Sequence, residues 1–283
     1  MSAAVLSGRE LAATIRTEVG DQAAGLAAAG TVPRLVVVSA TVDEASAWYV
    51  RSIARAAGKV GIRCDLVDLG PQVGVEQITD TLARFGADEQ VHGVMLQTPL
   101  PGGARLEELA GAVPVGKDVD GANPLSLGRL AAGLPAFAPA TAAAVLAVLD
   151  HHRIDLAGRR AVVVGRSTVV GKPAALLLLG RHATVTVCHS RTRDLATVTG
   201  SAEVLVVAAG RPGMITAEHV AEGATVVDVG TNPTPDGGLV GDVDAGSVTG
   251  RAGGLTPVPG GVGPVTTALL LRHTVLAAAG RFG

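Results

Sequence analysis

The sequence predicts an α/β protein built of two α/β domains, and three observations carry that prediction. Short Val-rich runs recur with helix-length stretches between them, the pattern of parallel strands joined by crossover helices. One run, Ala161-Val-Val-Val164, ends in a glycine turn at Gly165 that leads to Gly171-Lys172-Pro173. The same layout occurs twice, before and after a Gly-, Pro- and Ala-rich stretch ending at Pro139.

Residues 11–29 are Ala-rich with intermittent apolar positions and stop at Gly30, which predicts a helix with a glycine cap. Leu35-Val-Val-Val38 reads as a buried strand, 46–58 as a helix carrying Trp48, Tyr49, Arg51, Ile53 and Arg55, and 61–68 as a second strand. A helix over 75–85 and a strand over 92–97 follow, the latter running into Thr98-Pro-Leu-Pro101. Past Lys117-Asp-Val-Asp-Gly121, the Gly, Pro and Ala content up to Pro139 reads as a crossing between domains. Residues 141–151 are expected as a helix with Thr141 as its N-cap. Strands at 161–164, 184–188, 204–209 and 225–230, with helices between the first three, then make a shortened doubly wound sheet. Residues 255–266 form a loop with three prolines and three glycines that feeds a helix over 267–279, apolar enough to pack back on another domain.

Composition narrows the function classes. Among 283 residues, 48% are hydrophobic and 2% aromatic, so the core must be Ala, Val and Leu. A net charge of −2 leaves no basic footprint for nucleic acid. No apolar run approaches the roughly 18 residues of a membrane span, and the N-terminus lacks a basic start followed by an apolar segment. Cys64 and Cys188 are too few for a disulfide framework or a zinc site. The expectation is a cytoplasmic protein acting on a small molecule, with no metal, membrane or nucleic-acid partner.

Gly165 and Gly171 let the backbone approach a ligand, and the N–H groups of the following helix turn would face it, as in a phosphate site; a plain strand-to-helix turn is the alternative. At the end of the next strand, where an NAD enzyme carries an acid for the ribose 2′-hydroxyl, the chain reads His189-Ser190-Arg191-Thr192-Arg193. Ser190, Arg191 and Arg166 suit a 2′-phosphate, which favours NADP over NAD unless these are ordinary solvated side chains.

Several motifs together carry a family resemblance. Tyr49-Val50, Gln97-Thr-Pro-Leu-Pro101, Lys117-Asp-Val-Asp-Gly121, Gly165-Arg-Ser-x-x-Val-Gly-x-Pro173 and Cys188-His-Ser-x-Thr192 recur in order with Asp228-Val-Gly-x-Asn232, Val240-Gly-Asp242 and Thr256-Pro-Val-Pro-Gly-Gly-Val-Gly-Pro-x-Thr266. Over nearly the whole chain this resembles the methylenetetrahydrofolate dehydrogenase/cyclohydrolase family, FolD type. The resemblance implies an N-terminal folate-binding catalytic unit (1–138 with 265–283), a Rossmann-like NADP unit (139–264), a C-terminal helix returning to the first domain, and a homodimer formed through the NADP units. It implies that hydride leaves 5,10-methylenetetrahydrofolate for nicotinamide and that water then opens the methenyl product to 10-formyltetrahydrofolate. By the same resemblance Tyr49 stacks on the folate, and Gln97 and Asp120 orient its pterin end. Pro99, Leu100, Pro259, Gly260, Gly261 and Thr266 line the folate side, while Gly165, Arg166, Ser167, Gly171, Ser190, Arg191 and Thr231 hold NADP.

Departures from the family pattern bear on the second step. Where the family has Tyr-Val-x-x-Lys-x-Lys, this chain reads Tyr49-Val-Arg-Ser-Ile53-Ala-Arg55. Ile53 shares a helix face with Tyr49 and has no proton to give or take. Arg55 lies off that face and its guanidinium is not deprotonated, and Lys59 is roughly three turns from Tyr49. Ala142 and Ala144 replace a family Pro and Gly, and Ala40-Thr41 replaces Val-Gly. The expectation is an NADP-dependent dehydrogenase with little or no cyclohydrolase activity. A full bifunctional enzyme and a non-catalytic NADP- or folate-binding relative are the alternatives. His92, His151, His152, His182 and His219 are expected in surface or capping roles.

Overall fold

In a computed structural model that describes residues 2–281, the chain divides into two compact units, Met1–Ala12 with Thr141–Thr266 and Ala13–Ala140 with Thr267–Gly283. Residues 1, 282 and 283, the outer limits of the expected first domain, lie outside the described residues. In chain order the elements are β1 (Ala4–Val5), α1 (Arg9–Ala28), β2 (Arg34–Ser39), α2 (Glu44–Lys59), β3 (Arg63–Asp68), α3 (Val75–Ala87), β4 (Gly93–Leu96), α4 (Leu106–Leu109), α5 (Pro124–Ala131) and α6 (Ala140–His151). They continue with β5 (Arg160–Val164), α7 (Gly171–Gly180), β6 (Thr184–Cys188), α8 (Leu195–Thr199), β7 (Val204–Val207), β8 (Thr225–Asp228), β9 (Asn232–Pro233), β10 (Leu239–Val240), α9 (Ala245–Val248), β11 (Gly254–Leu255) and α10 (Val262–Ala278).

The unit holding residues 13–140 has a three-stranded parallel sheet in the order β3-β2-β4. Leu35 to Val38 are fully buried in its central strand, because a parallel strand with neighbours on both sides is covered on both faces. Ile78, Leu82, Val94, Leu96, Leu109 and Val113 pack against Val36 and Val38. α2 is capped by Asp43, whose carboxylate accepts the Ser46 N–H at 2.7 Å.

The other unit carries a six-stranded parallel sheet, β1-β11-β8-β7-β5-β6. From β5 the chain goes to β6 on one side and then crosses to β7 on the other, so the order reverses at the C-terminal ends of β5 and β7. Ligands of doubly wound sheets bind at such a switch point. Val162, Val164, Leu205, Val207 and Val226 form the core, whereas edge strand β6 exposes Thr184, Thr186 and Val187.

Sequence pattern finds the long strands and misses β1, β9, β10 and β11, which are two residues each and too short to show a period. The stretch expected as a plain crossing contains α5, begun by Asn123 as N-cap with Pro124 as its first residue. α6 starts at Ala140, so Thr141 lies inside the helix rather than capping it. Ala140, Ala142 and Ala144 are good helix formers and are buried to 1% exposure or less, which draws the helix start forward. α10 likewise starts at Val262, within the expected loop.

Candidate active site

The site residues fall into two groups, one in each unit. In the first, α2 presents Tyr49 half-buried, and one turn on Ile53 is fully buried. Arg51, Arg55 and Lys59 are exposed on the same helix, so none of their charges takes the place of a side chain at 53. The Thr267 hydroxyl hydrogen-bonds the Tyr49 side chain, and Asp120 lies close enough to act on it electrostatically. Withdrawal from water, and then the Asp120 carboxylate, push the Tyr49 phenol up to about 12.

The Lys117-Asp-Val-Asp-Gly121 turn separates its two acids by role. Asp118 faces inward, 2% exposed, and accepts the N–H groups of Ala122 and Asn123, both at 2.9 Å, and the Ser126 hydroxyl at 2.5 Å. It is consumed in holding the turn. Gly121 is required there, since φ is +65° and a Cβ would sit 2.5 Å from the Pro139 nitrogen. Lys117 donates from its ammonium to the Asp88 carbonyl at 2.6 Å. Asp120 is left half-buried, and burial, with the neighbouring Asp118 charge, pushes its carboxyl up to about 7. From α10, His273 reaches the same turn and donates from Nδ1 to the Val119 carbonyl at 2.8 Å, with Phe137 4.9 Å from its ring. Burial drives this imidazole down to about 4, so it is neutral and Nδ1 carries its proton.

Gln97, at the end of β4, is 8% exposed. Its Nε2 donates to the Thr98 carbonyl at 2.5 Å, which the Ser46 hydroxyl also reaches at 3.1 Å. Gln97 Oε1 is buried with no partner among the described residues, the state of an acceptor held ready for a donor. Pro99 is exposed and Leu100 half-buried just beyond it. Sequence reading passes over Thr267 and His273. Nothing local marks either one, because α10 also carries Thr266, Arg272 and Thr274.

The second group lies at the switch point. Gly165 has φ +130°, and a Cβ there would stand 2.2 Å from the Ala208 carbonyl oxygen; a Cβ on Gly171 would stand 2.2 Å from the Gly165 oxygen. The turn therefore closes on itself and on the end of β7 with room for backbone only. The expected donors differ in one respect. The Val170 and Gly171 N–H groups donate to Ser167 Oγ at 3.2 and 3.3 Å, and Lys172 N–H to the Ser167 carbonyl at 3.0 Å. The start of α7 is thus engaged by Ser167. Arg166 and Ser167 in the turn, with Ser190, Arg191 and Arg193 after β6, are exposed. The loop after β6 is ordered by His189 N–H donating to Thr192 Oγ1 at 2.8 Å and Arg191 N–H to His189 Nδ1 at 3.2 Å.

Pro259, Gly260, Gly261 and Thr266 belong to this second unit, not to the unit of Tyr49, Gln97 and Asp120. Gly260, with φ +113°, lies against the Arg9 guanidinium and its carbonyl accepts the Gly8 N–H at 3.0 Å. Gly261 N–H donates to the Pro257 carbonyl at 2.8 Å and Thr266 Oγ1 to the Val262 carbonyl at 3.3 Å. Of the histidines expected in capping or surface roles, His219 closes the short turn begun by Thr216, His92 Nδ1 accepts the Arg34 N–H at 3.1 Å, and His152 Nε2 lies 3.0 Å from the Ser7 carbonyl.

A parallel sheet with a glycine turn at its switch point and an arginine-bearing loop beside it, joined to a second α/β unit with its own polar cluster, defines a nucleotide-dependent α/β enzyme. Residues 6–120 match the tetrahydrofolate dehydrogenase/cyclohydrolase catalytic domain and residues 139–282 the NAD(P)-binding domain of the same family. The chain belongs to the tetrahydrofolate dehydrogenase/cyclohydrolase family. It is similar to the bifunctional protein FolD 1 of Saccharopolyspora erythraea, 68% identical over 96% of this chain and 93% of that protein. Among solved structures it is similar to the bifunctional methylenetetrahydrofolate dehydrogenase/cyclohydrolase FolD of Campylobacter jejuni (37% identity, TM-score 0.94, 99% of both chains). It is also similar to the Trypanosoma brucei methylenetetrahydrofolate dehydrogenase-cyclohydrolase complexed with NADP and an inhibitor (35% identity, TM-score 0.93, 99% of this chain and 98% of that one).

Proposed function

We propose that this chain oxidises 5,10-methylenetetrahydrofolate to the 5,10-methenyl form with NADP+, and that it catalyses the following ring-opening weakly or not at all. The residues at the switch point fit the coenzyme: Gly165 and Gly171 leave a backbone cradle a Cβ would fill, and Arg166, Ser190 and Arg191 offer exposed donors for a 2′-phosphate with Thr231 on the adjoining loop. When bound, NADP+ supplies a hydride acceptor.

The folate residues supply position. Departure of hydride from the bridging carbon is driven by the folate's own N5 lone pair, so the chain needs only to hold the reacting atoms about 3–3.5 Å apart. Tyr49 offers a ring face, and Gln97 Oε1 and the Asp120 carboxyl offer partners to pterin N–H groups. Pro99 and Leu100, just beyond Gln97 in the same unit, line the folate side.

Ring-opening asks for more, since water must be activated and a nitrogen protonated. The observation that carries the reading is Ile53, 0% exposed one helical turn beyond Tyr49. A second reading rests on Asp120, a carboxyl at about 7 beside Tyr49, which can take and return a proton near neutrality and would keep the enzyme bifunctional. One spectrophotometric experiment separates them. NADPH formation with accumulating methenyl product supports the first, methenyl decay above the uncatalysed rate supports the second, and an absence of NADPH refutes both. We further infer a homodimer through the coenzyme units, supported by edge strand β6 with its exposed Val187, and checked by light scattering on a size-exclusion column.

A further inference from the structure

We propose that Asp242 is a positioning residue for the coenzyme, tying the loop that backs the Gly165 turn to the segment that carries Thr231. Asp242 is 0% exposed, and its Oδ2 accepts the N–H groups of Ala209 at 2.6 Å and Gly210 at 2.8 Å. Its Oδ1 accepts the Arg211 N–H at 2.8 Å and the Asn232 side-chain amide at 2.9 Å. Ala208, the residue before this loop, is the one whose carbonyl fills the space under Gly165, and its own N–H donates to the Val164 carbonyl at 2.7 Å. One carboxylate therefore fixes three successive amides immediately after the residue on which the nucleotide turn rests.

The other half of the lock is Asp228. Its Oδ1 accepts the Gly230 N–H at 2.9 Å and the Asp242 N–H at 3.0 Å, and its Oδ2 accepts the Val243 N–H at 3.0 Å. Thr231 lies between Gly230, held by Asp228, and Asn232, held by Asp242. An exposed residue is thus fastened on both sides by buried charges. The glycines confirm how closely the parts fit: a Cβ on Gly230 would be 2.5 Å from Asp242 Oδ1, and one on Gly241 would run into the Asp228 carboxylate. Hydrogen bonds to a charged acceptor are worth more than neutral ones, and a neutral amide cannot accept all four made by Asp242, because its nitrogen would face one of the two donor pairs whichever way it turned.

This inference rests on the coenzyme reading, and the experiment distinguishes the two. Isothermal titration of full-length wild-type, Asp242→Asn and Asn232→Ala chains with NADP+ is paired with KM values for NADP+ and methylenetetrahydrofolate and with a thermal melt. The expected result is that Asp242→Asn weakens NADP+ binding at least tenfold and raises its KM in proportion, while the folate KM stays within twofold. Asn232→Ala, which removes the Asn232 Nδ2 bonds to Asp242 Oδ1 and to the Val240 carbonyl (3.3 Å) and leaves the three amide bonds of Asp242 in place, raises the NADP+ KM about threefold. A lower melting temperature with unchanged NADP+ affinity, or an equal rise in both KM values, overturns the proposal. If Asp242→Asn shows no cooperative melt, unchanged NADP+ affinity in Asn232→Ala overturns it instead. A wild-type chain that does not bind NADP+ refutes the coenzyme reading and takes this inference with it.

Discussion

Replacing Ile53 by lysine restores an amine one helical turn beyond Tyr49. The substitution acts on two quantities. Ile53 is fully buried, so losing its apolar surface costs about 1.5–3 kcal/mol, and the ammonium must find Asp120 to offset its own desolvation. A drop in folding stability of about 2–3 kcal/mol is expected if that pairing forms. Against this, a positioned acid–base group is commonly worth about 10²–10⁴-fold, or about 3–5 kcal/mol of barrier, in the ring-opening step. The assay follows decay of methenyl absorbance at neutral pH for wild type, Ile53→Lys and an apolar control, Ile53→Met. Methenyl hydrolysis should rise at least about a hundredfold in Ile53→Lys alone, whereas NADPH formation, which asks only for positioning, should change far less. A folded Ile53→Lys chain with wild-type hydrolysis would show that the missing amine is not what limits the step.

Three further perturbations test separate parts of the site. The Asp120 carboxyl titrates at about 7 in the folded chain and near 3.8 when exposed, so the stability it confers is fully present below the lower value and lost as pH rises through the upper one. Asp120→Asn should flatten the fall in melting temperature between pH 5 and pH 8, removing a pH-dependent contribution of up to a few kcal/mol; an unchanged fall would mean another group is responsible. Arg191→Ala should weaken NADP+ binding about 10- to 100-fold and leave NAD+ binding alone, since only the former carries the 2′-phosphate; equal losses in a titration would remove Arg191 from that role. Gly171→Ala places a methyl 2.2 Å from the Gly165 oxygen and should displace the turn, lowering the melting temperature and raising the NADP+ KM at least tenfold, with little effect on the folate KM.

Much of the fold is legible because its strands are parallel and buried on both faces, which writes them as uninterrupted apolar runs such as Leu35 to Val38 and Val204 to Val207. The nucleotide turn is legible for a related reason, since glycines crowded by backbone leave a fixed spacing in the chain. What escapes is non-local. β1 pairs with β11 across most of the sequence, and Asp242 meets amides some thirty residues earlier, with no period or spacing to announce either. His273 likewise belongs to the Val119 turn only after α10 has folded back. α5 had a local signal, Asn123-Pro124 at its start, outweighed by the surrounding Gly and Pro content. Ile53 shows the reverse case, where sequence alone raises the chemical question and the fold shows how completely the position is closed to water.

The way Ser167 caps the start of α7 has a bearing on selectivity. With those amides already supplied internally, the helix offers a diphosphate less than a bare helix end would. The proposed partners of the 2′-phosphate, Arg166 and Arg191, are solvated guanidinium groups, whose attraction fades as counter-ions crowd around them. On that proposal, the preference for NADP+ over NAD+ weakens as ionic strength rises.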